Sequence, residues 1–279
     1  MKKGLIIAVI LTALGLALIV GALAAAGFDL EKFDMSKYET NTYTVNEEFD
    51  KIELDLETED VTFRLSDDGK LRVVCFEREN GKHSVSAENG TLTIKENDER
   101  KWYDYLTFFG KSLYMTVYLP SDHYESLKID ASTGDVTIPK DFSFGSIDID
   151  VSTGDVLCAA SAAGEIKIKT STGKILLDGA NADDIDLSAS TGDVTLNSTV
   201  ALKGFNIKTS TGDVTFDGSD AAGITVKTST GDVEGTLASE KVFVVETSTG
   251  TVVVPNSVSG GRCEVKTSTG DVKISISGN

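Results

Sequence analysis

Cysteine and histidine are both scarce in this chain, and basic residues are outnumbered by acidic ones. Cys75, Cys158 and Cys263 are the only cysteines, and their spacing forms neither a disulfide framework nor a metal-ligand motif. They read as small core hydrophobes, which suits an exported protein that does not depend on disulfides. His83 and His123 have no Ser or Cys motif beside them that would mark a nucleophile and its base, so both are expected to be structural. No phosphate-cradling loop or dinucleotide fingerprint occurs. With 26 Lys and Arg against 44 Asp and Glu, the net charge is -18, and such a surface repels nucleic acid and anionic lipid. Neither a catalytic constellation nor a cofactor is expected; the acidity fits the solubility of an exposed rod.

What the chain has in abundance is one repeated corner. Ser-Thr-Gly recurs eight times, with its glycine at Gly134, Gly154, Gly173, Gly192, Gly212, Gly231, Gly250 and Gly270, spaced 19 or 20 residues apart. A fixed period of that size marks a stacked repeat architecture. Aligned on glycine, apolar residues fall two apart, which is the period of a strand and not of a helix. Seven before glycine stand Leu127, Ile147, Ile166, Ile185, Phe205, Ile224, Phe243 and Cys263; two after it stand Val136, Val156, Ile175, Val194, Val214, Val233, Val252 and Val272. Each coil is therefore strand, tight turn, strand, closed by a return loop of seven or eight residues. One coil has too little apolar surface to fold alone, but stacking buries the columns as continuous ladders. The expected fold is all-β: a β-solenoid of parallel 19–20-residue coils, with an antiparallel two-sheeted sandwich as the competitor.

At the corner, glycine supplies positive φ without steric cost, and Ser, Thr and Asp can bond neighbouring backbone groups. Asp135, Asp155, Asp193, Asp213, Asp232 and Asp271 follow their glycines, interrupted by Lys174 and Thr251. Stacked carboxylates about 4.8 Å apart could share calcium, but the calcium-binding nonapeptide pattern is absent and Lys174 would put a cation into the column. Turn chemistry is the expected role, and no metal site is assigned. The Thr-x-Thr triplets are like those of ice-binding solenoids, but here the threonines share parity with the inward columns.

One long hydrophobic run stands apart. Gly4 to Gly27 is uncharged and follows Lys2-Lys3. As a helix it spans about 36 Å, enough to cross a hydrocarbon core of about 30 Å. The positive-inside rule places residues 1–3 in the cytoplasm, 4–27 in the cell membrane as a single-pass anchor, and the bulk of the chain outside. A cleaved signal peptide is the other reading, since Ala24-Ala25-Ala26 offers a cleavage pattern. Residues 28–48 read as a polar stalk, 49–126 as degenerate β coils, and 127–279 as the regular eight-coil solenoid. One degenerate coil places Glu59 in the glycine slot, with Ile52, Leu54, Val61 and Phe63 in the apolar columns. A second is drawn from Val85, Ala87, Gly90, Leu92 and Ile94.

Between the degenerate and regular coils, an insertion carries Trp102, Tyr103, Phe108 and Phe109. These aromatics either cover one side or end of the stack, or form an exposed loop that grips a glycan, a partner or the bilayer surface. At the far end, Lys273 to Asn279 stops with no evident cap, leaving an edge either blunt or covered by another molecule.

Together the opening Phe49-Asp50-Lys51-Ile52-Glu53-Leu54, the strand Met115-Thr116-Val117-Tyr118-Leu119-Pro120 and the Ser-Thr-Gly-Asp-Val corners resemble a bacterial family of β-strand-repeat proteins labelled "putative adhesins", a domain of unknown function. The resemblance covers roughly residues 42–277 and implies a repetitive β fold, frequent membrane tethering and a surface or envelope role without established catalysis. It supplies no catalytic residues. The functional expectation is a non-enzymatic, membrane-anchored module that contacts a surface glycan or envelope protein. The alternatives are a polysaccharide-acting β-helix enzyme and an accessory to envelope-stress sensing.

Overall fold

The computed structural model describes residues 2–25, 27–28, 36–98 and 111–277. Among these, Lys2–Ala25 forms one helix. Its stretch Gly4–Ala25 has a mean hydropathy of 2.8, is not buried against any other described residues, and is long and apolar enough to cross a membrane.

From Lys51 onward the chain is a β-solenoid. His123–Thr133, Ser143–Thr153, Glu165–Thr172, Asn181–Thr191 and Val200–Thr211 lie side by side and parallel, with Leu127, Ile147, Ile166, Ile185 and Phe205 in one register. After each corner a shorter parallel ladder runs through Val136, Val156, Ile175, Val194 and Val214. Strands that carry the same residue at the same height stack without slippage, because a one-residue shift would turn every apolar side chain outward. The parallel pairing excludes the antiparallel sandwich for this part of the chain.

The return segment is more ordered than a loop. It forms a third short strand in each coil, pairing Phe144 with Tyr124 and Ala162, and Ala201 with Ala182 and Ala221. That inward column starts with stacked rings, Phe49 on Tyr124 at 5.7 Å and Tyr124 on Phe144 at 6.1 Å, and continues as alanine. Without large apolar residues at period two, such a short strand leaves little trace in sequence.

Glycine at the corners answers to two demands. Gly212 has φ +151, and a Cβ there would sit 2.0 Å from the carbonyl oxygen of Gly192 in the coil beside it. Neighbouring backbones touch at the corner, so no larger residue fits in the regular stack.

At the amino end, Lys51–Leu56 and Glu59–Leu65 form a coil in register with the Gly134 coil, with Glu59 in the glycine slot as expected. The second degenerate coil is not built as expected. Gly81–Glu88 and Thr91–Asp98 are an antiparallel hairpin, pairing Val85 with Ile94 and Ala87 with Leu92. Asn89 and Gly90 both have positive φ, 52° and 80°, the Asn-Gly turn whose twist suits a two-residue hairpin. The coil at this level instead joins Thr91–Asp98, parallel on Lys51–Leu56, to Leu113–Leu119, parallel on Glu59–Leu65. Beyond it the direction reverses: Arg72–Arg78 runs antiparallel to Leu113–Leu119, and Tyr38–Tyr43 antiparallel to Arg72–Arg78. Part of the segment read as a stalk is thus a strand of the body.

At the carboxyl end the coils stack out of chain order. Ile224 to Lys227 pairs with Cys263 to Lys266, and Lys241–Thr249 pairs with Gly261–Thr269 from the other side. The corners therefore run Gly212, Gly231, Gly270, Gly250, and the last coil of the chain is an interior layer. Cys158 and Cys263 are five layers apart, both free and buried. Near-identical Thr-Ser-Thr-Gly corners fit either order. The observed one needs Gly261, where a Cβ would strike the Ala222 carbonyl; the ion pair of Lys266 with Glu246 at 2.6 Å is open to either order. The open edge is accordingly not the chain's last strand but Lys241–Thr249 with Val252–Val253.

Candidate functional site

Trp102, Tyr103, Phe108 and Phe109 lie outside the described residues. Three other features are candidates, beginning with the corner column.

Each corner aspartate serves the coil next to it. Asp60 Oδ1 accepts from the Asp135 N–H at 2.9 Å, Asp135 from Asp155 at 2.7 Å, and Asp155 from Lys174 at 2.7 Å. The chain resumes with Asp193, which accepts from Asp213 at 3.1 Å, then Asp213 from Asp232 at 2.8 Å. Asp232 accepts from Asp271 at 2.7 Å, and Asp271 from Thr251 at 2.8 Å. Gly134, Gly154, Gly192, Gly212, Gly231 and Gly270 bring the backbones close enough for this relay. The carboxylates are thus engaged by backbone N–H groups.

A second feature was only half visible in sequence. His83, on the hairpin strand Gly81–Glu88, lies buried between two carboxylates. Its Nδ1 is 2.6 Å from Glu77 Oε2, and its Nε2 is 3.8 Å from Glu59 Oε1, an ion pair too long for a hydrogen bond. Glu59 reaches inward because it occupies the glycine slot of the first coil. Glu77 accepts from Asn41 Nδ2 at 2.7 Å and Tyr43 OH at 2.5 Å on one oxygen, and from the His83 N–H at 2.9 Å on the other. Burial alone would push the His83 pKa down, but Cys75, Glu59 and Glu77 outweigh it and raise it to about 11. Burial likewise works against Glu59 and Glu77, yet His83 holds both below the ordinary carboxylate range. The group is an imidazolium clasped by two carboxylates, which satisfies buried charge by pairing.

Cys75, Glu77 and His83 also place potential ligand atoms within 4.8 Å of one another. Glu77 already receives four donors on its two oxygens, which fills a carboxylate's capacity. It orients the histidine and has no lone pair left for a cation. The signal in sequence was the alternation Val73, Cys75, Glu77, which carries a carboxylate onto an inward face, together with Glu59 standing where glycine belongs.

The third feature is a groove along the third strands. His123, Gly145, Ala163, Asp183, Val200 and Leu202 line an open, mainly apolar depression of about 610 Å³. A second depression of about 500 Å³ continues it past Leu202 to Ala222 and Gly261. Small residues make the floor shallow, and Leu202 stands on it 72% exposed.

A model of the Toastrack DUF4097 domain matches residues 49–279, from the first coil to the chain end. The chain belongs to the Toastrack DUF4097 family. A solved "putative adhesin" from Bacteroides fragilis is similar to this Toastrack chain at 17% identity and a TM-score of 0.55, over 86% of this chain and 97% of that one. A second, from Parabacteroides distasonis, has 15% identity and a TM-score of 0.50, over 86% and 98%. Identities this low show a shared fold. No curated protein matches the Toastrack chain.

Proposed function

We propose that this Toastrack protein is a non-enzymatic, membrane-anchored module whose solenoid stands outside the cell and contacts a surface glycan or an envelope protein. The observation that carries this reading is the groove of alanine and glycine crossing successive coils. An extended, shallow, repeated surface suits an elongated ligand better than a small substrate, which is normally enclosed in a deep pocket. The amino-terminal helix supports anchoring, through its length and its lack of burial among the described residues. The corner aspartates favour a structural over a catalytic role, because their oxygens accept backbone hydrogen bonds.

The test uses the full chain in membranes, with Leu202→Asp as the groove variant, against a glycan array and in pull-downs of envelope proteins. Ligand retained by the parent chain and lost by the variant, with an unchanged melting temperature, supports the reading. Turnover of a glycan would replace it with enzymatic action, and equal binding by both forms would move the contact away from the groove.

A further inference from the structure

The Gly250 coil differs from every other coil in what it shows to solvent. In the other seven, the position eight before glycine holds Ser126, Ser146, Glu165, Asp184, Gly204, Gly223 or Arg262, and the position six before holds a charged or polar residue. In the Gly250 coil these positions are Val242 and Val244, each 37% exposed. Val252, Val253 and Val258 of the same coil are also exposed, at 44%, 58% and 94%. Its inward residues are uncovered as well. Phe243 and Val245 are half-buried, whereas Ile224 and Val226 in the same columns are closed off at 2% and 0%. The strand has one bonded side, towards Gly261–Thr269. An outer strand edge with apolar side chains on both faces is the arrangement that soluble proteins ordinarily blunt with charge, and here Glu246 is the only exposed charge on it.

Two observations say what covers it. In the sheet that carries Lys241–Thr249, the opposite end of the stack is closed by Gly81–Glu88, which runs antiparallel to the solenoid strands, so the open edge of one molecule finds no parallel strand there on another. Moreover, the aspartate relay ends in this coil. Thr251 takes the last carboxylate bond and has no carboxylate to offer a further corner. A coil continuing in the same direction would receive no carboxylate bond at its corner, as at the break after Lys174. The remaining complement is the same edge turned about a two-fold axis, which pairs strands antiparallel and closes the contact at two copies.

We propose that the Gly250 coil pairs end to end with the Gly250 coil of a second copy of this chain. The strands Lys241–Thr249 meet antiparallel, and Val242, Val244 and Val253 of both copies form one apolar patch. The contact is independent of the groove, so either can fail without the other.

The test uses the full chain reconstituted in vesicles of zwitterionic lipid, with single cysteines at the tip: Val242→Cys, Val244→Cys and Val253→Cys. The three native cysteines are buried and give little background. Mild oxidation is expected to yield a disulfide-linked dimer from at least one tip variant, and none from Lys128→Cys, which stands in the same outward column at the other end of the regular stack. Val242→Lys/Val244→Lys, with an unchanged melting temperature, is expected to weaken self-association by about a hundredfold or more, because like charges brought face to face are strongly unfavourable. The proposal is overturned if all three tip variants stay monomeric, if Lys128→Cys links as readily, or if the double lysine variant associates as the parent does. A tip cysteine that links in native membranes only to a different protein overturns it too.

Discussion

The Asp271 N–H donates to Asp232 Oδ1 at 2.7 Å, bridging corners 39 residues apart, while the Gly250 corner between them in sequence lies outside both. The relay and the strand register agree on this order. Thr225 sits beside Glu264, and Glu264 beside Val244.

Cross-linking can read the order directly. Thr225→Cys with Glu264→Cys joins adjacent strands and should form a disulfide readily, seen as a mobility shift that reductant reverses. Thr225→Cys with Val244→Cys spans two layers, about 9.6 Å, beyond the reach of a disulfide. Efficient linking of that second pair would restore the simple sequential stack.

Corner glycines differ sharply from turn glycines elsewhere. Gly212→Ala forces a Cβ into the Gly192 carbonyl and should cost about 3 kcal/mol or more in urea unfolding. Gly218, at φ +64 with nothing within 4 Å, should lose only about 1–2 kcal/mol on the same change.

Asp213→Ala removes one link of the relay, leaving the Asp232 N–H to water, and should cost about 0.5–1 kcal/mol by urea unfolding. Because the carboxylates serve backbone N–H groups, millimolar calcium should leave the melting temperature of the parent protein unchanged.

The clasped histidine sets a pH dependence of known sign. With its pKa raised from 6.5 to about 11, His83 contributes stability in full below about pH 6.5 and loses it as pH climbs towards 11. Glu59 and Glu77, lowered from 4.5, contribute above that value and lose their share as pH falls through their folded pKa values. Their joint contribution is therefore greatest between about pH 4.5 and 6.5. The free energy of urea unfolding should fall from pH 6.5 to 9, by up to about 1.4 kcal/mol per pH unit. His83→Gln should be less stable at pH 6 and nearly flat across that range.

The solenoid was legible because its period is written in side chains: glycine every 19 or 20 residues, with apolar residues at fixed distances on either side. Glu59 could be placed in a glycine slot from the same columns. The Gly90 assignment failed because Val85, Ala87, Leu92 and Ile94 alternate equally well in a hairpin, and the Asn89-Gly90 turn outweighed the column count. Spatial order at the carboxyl end was hidden for the opposite reason, since corners this alike do not say which neighbour they stack upon. His83 reads as structural from sequence, and its partners come from strands that only the antiparallel end brings together. The third strands escaped notice because alanine packs inward without an alternating apolar signal.

Gly261–Thr269 lies one layer inside the β body, between Val214–Lys227 and Lys241–Thr249. During synthesis the Gly250 coil emerges before the layer it must rest on, so it has no seat until Gly261–Thr269 has arrived. Folding of this end is then a latch closed by the Gly270 coil. A chain cut short near Gly260 would lose the purchase of two layers at once, which couples a clean finish to an intact polypeptide.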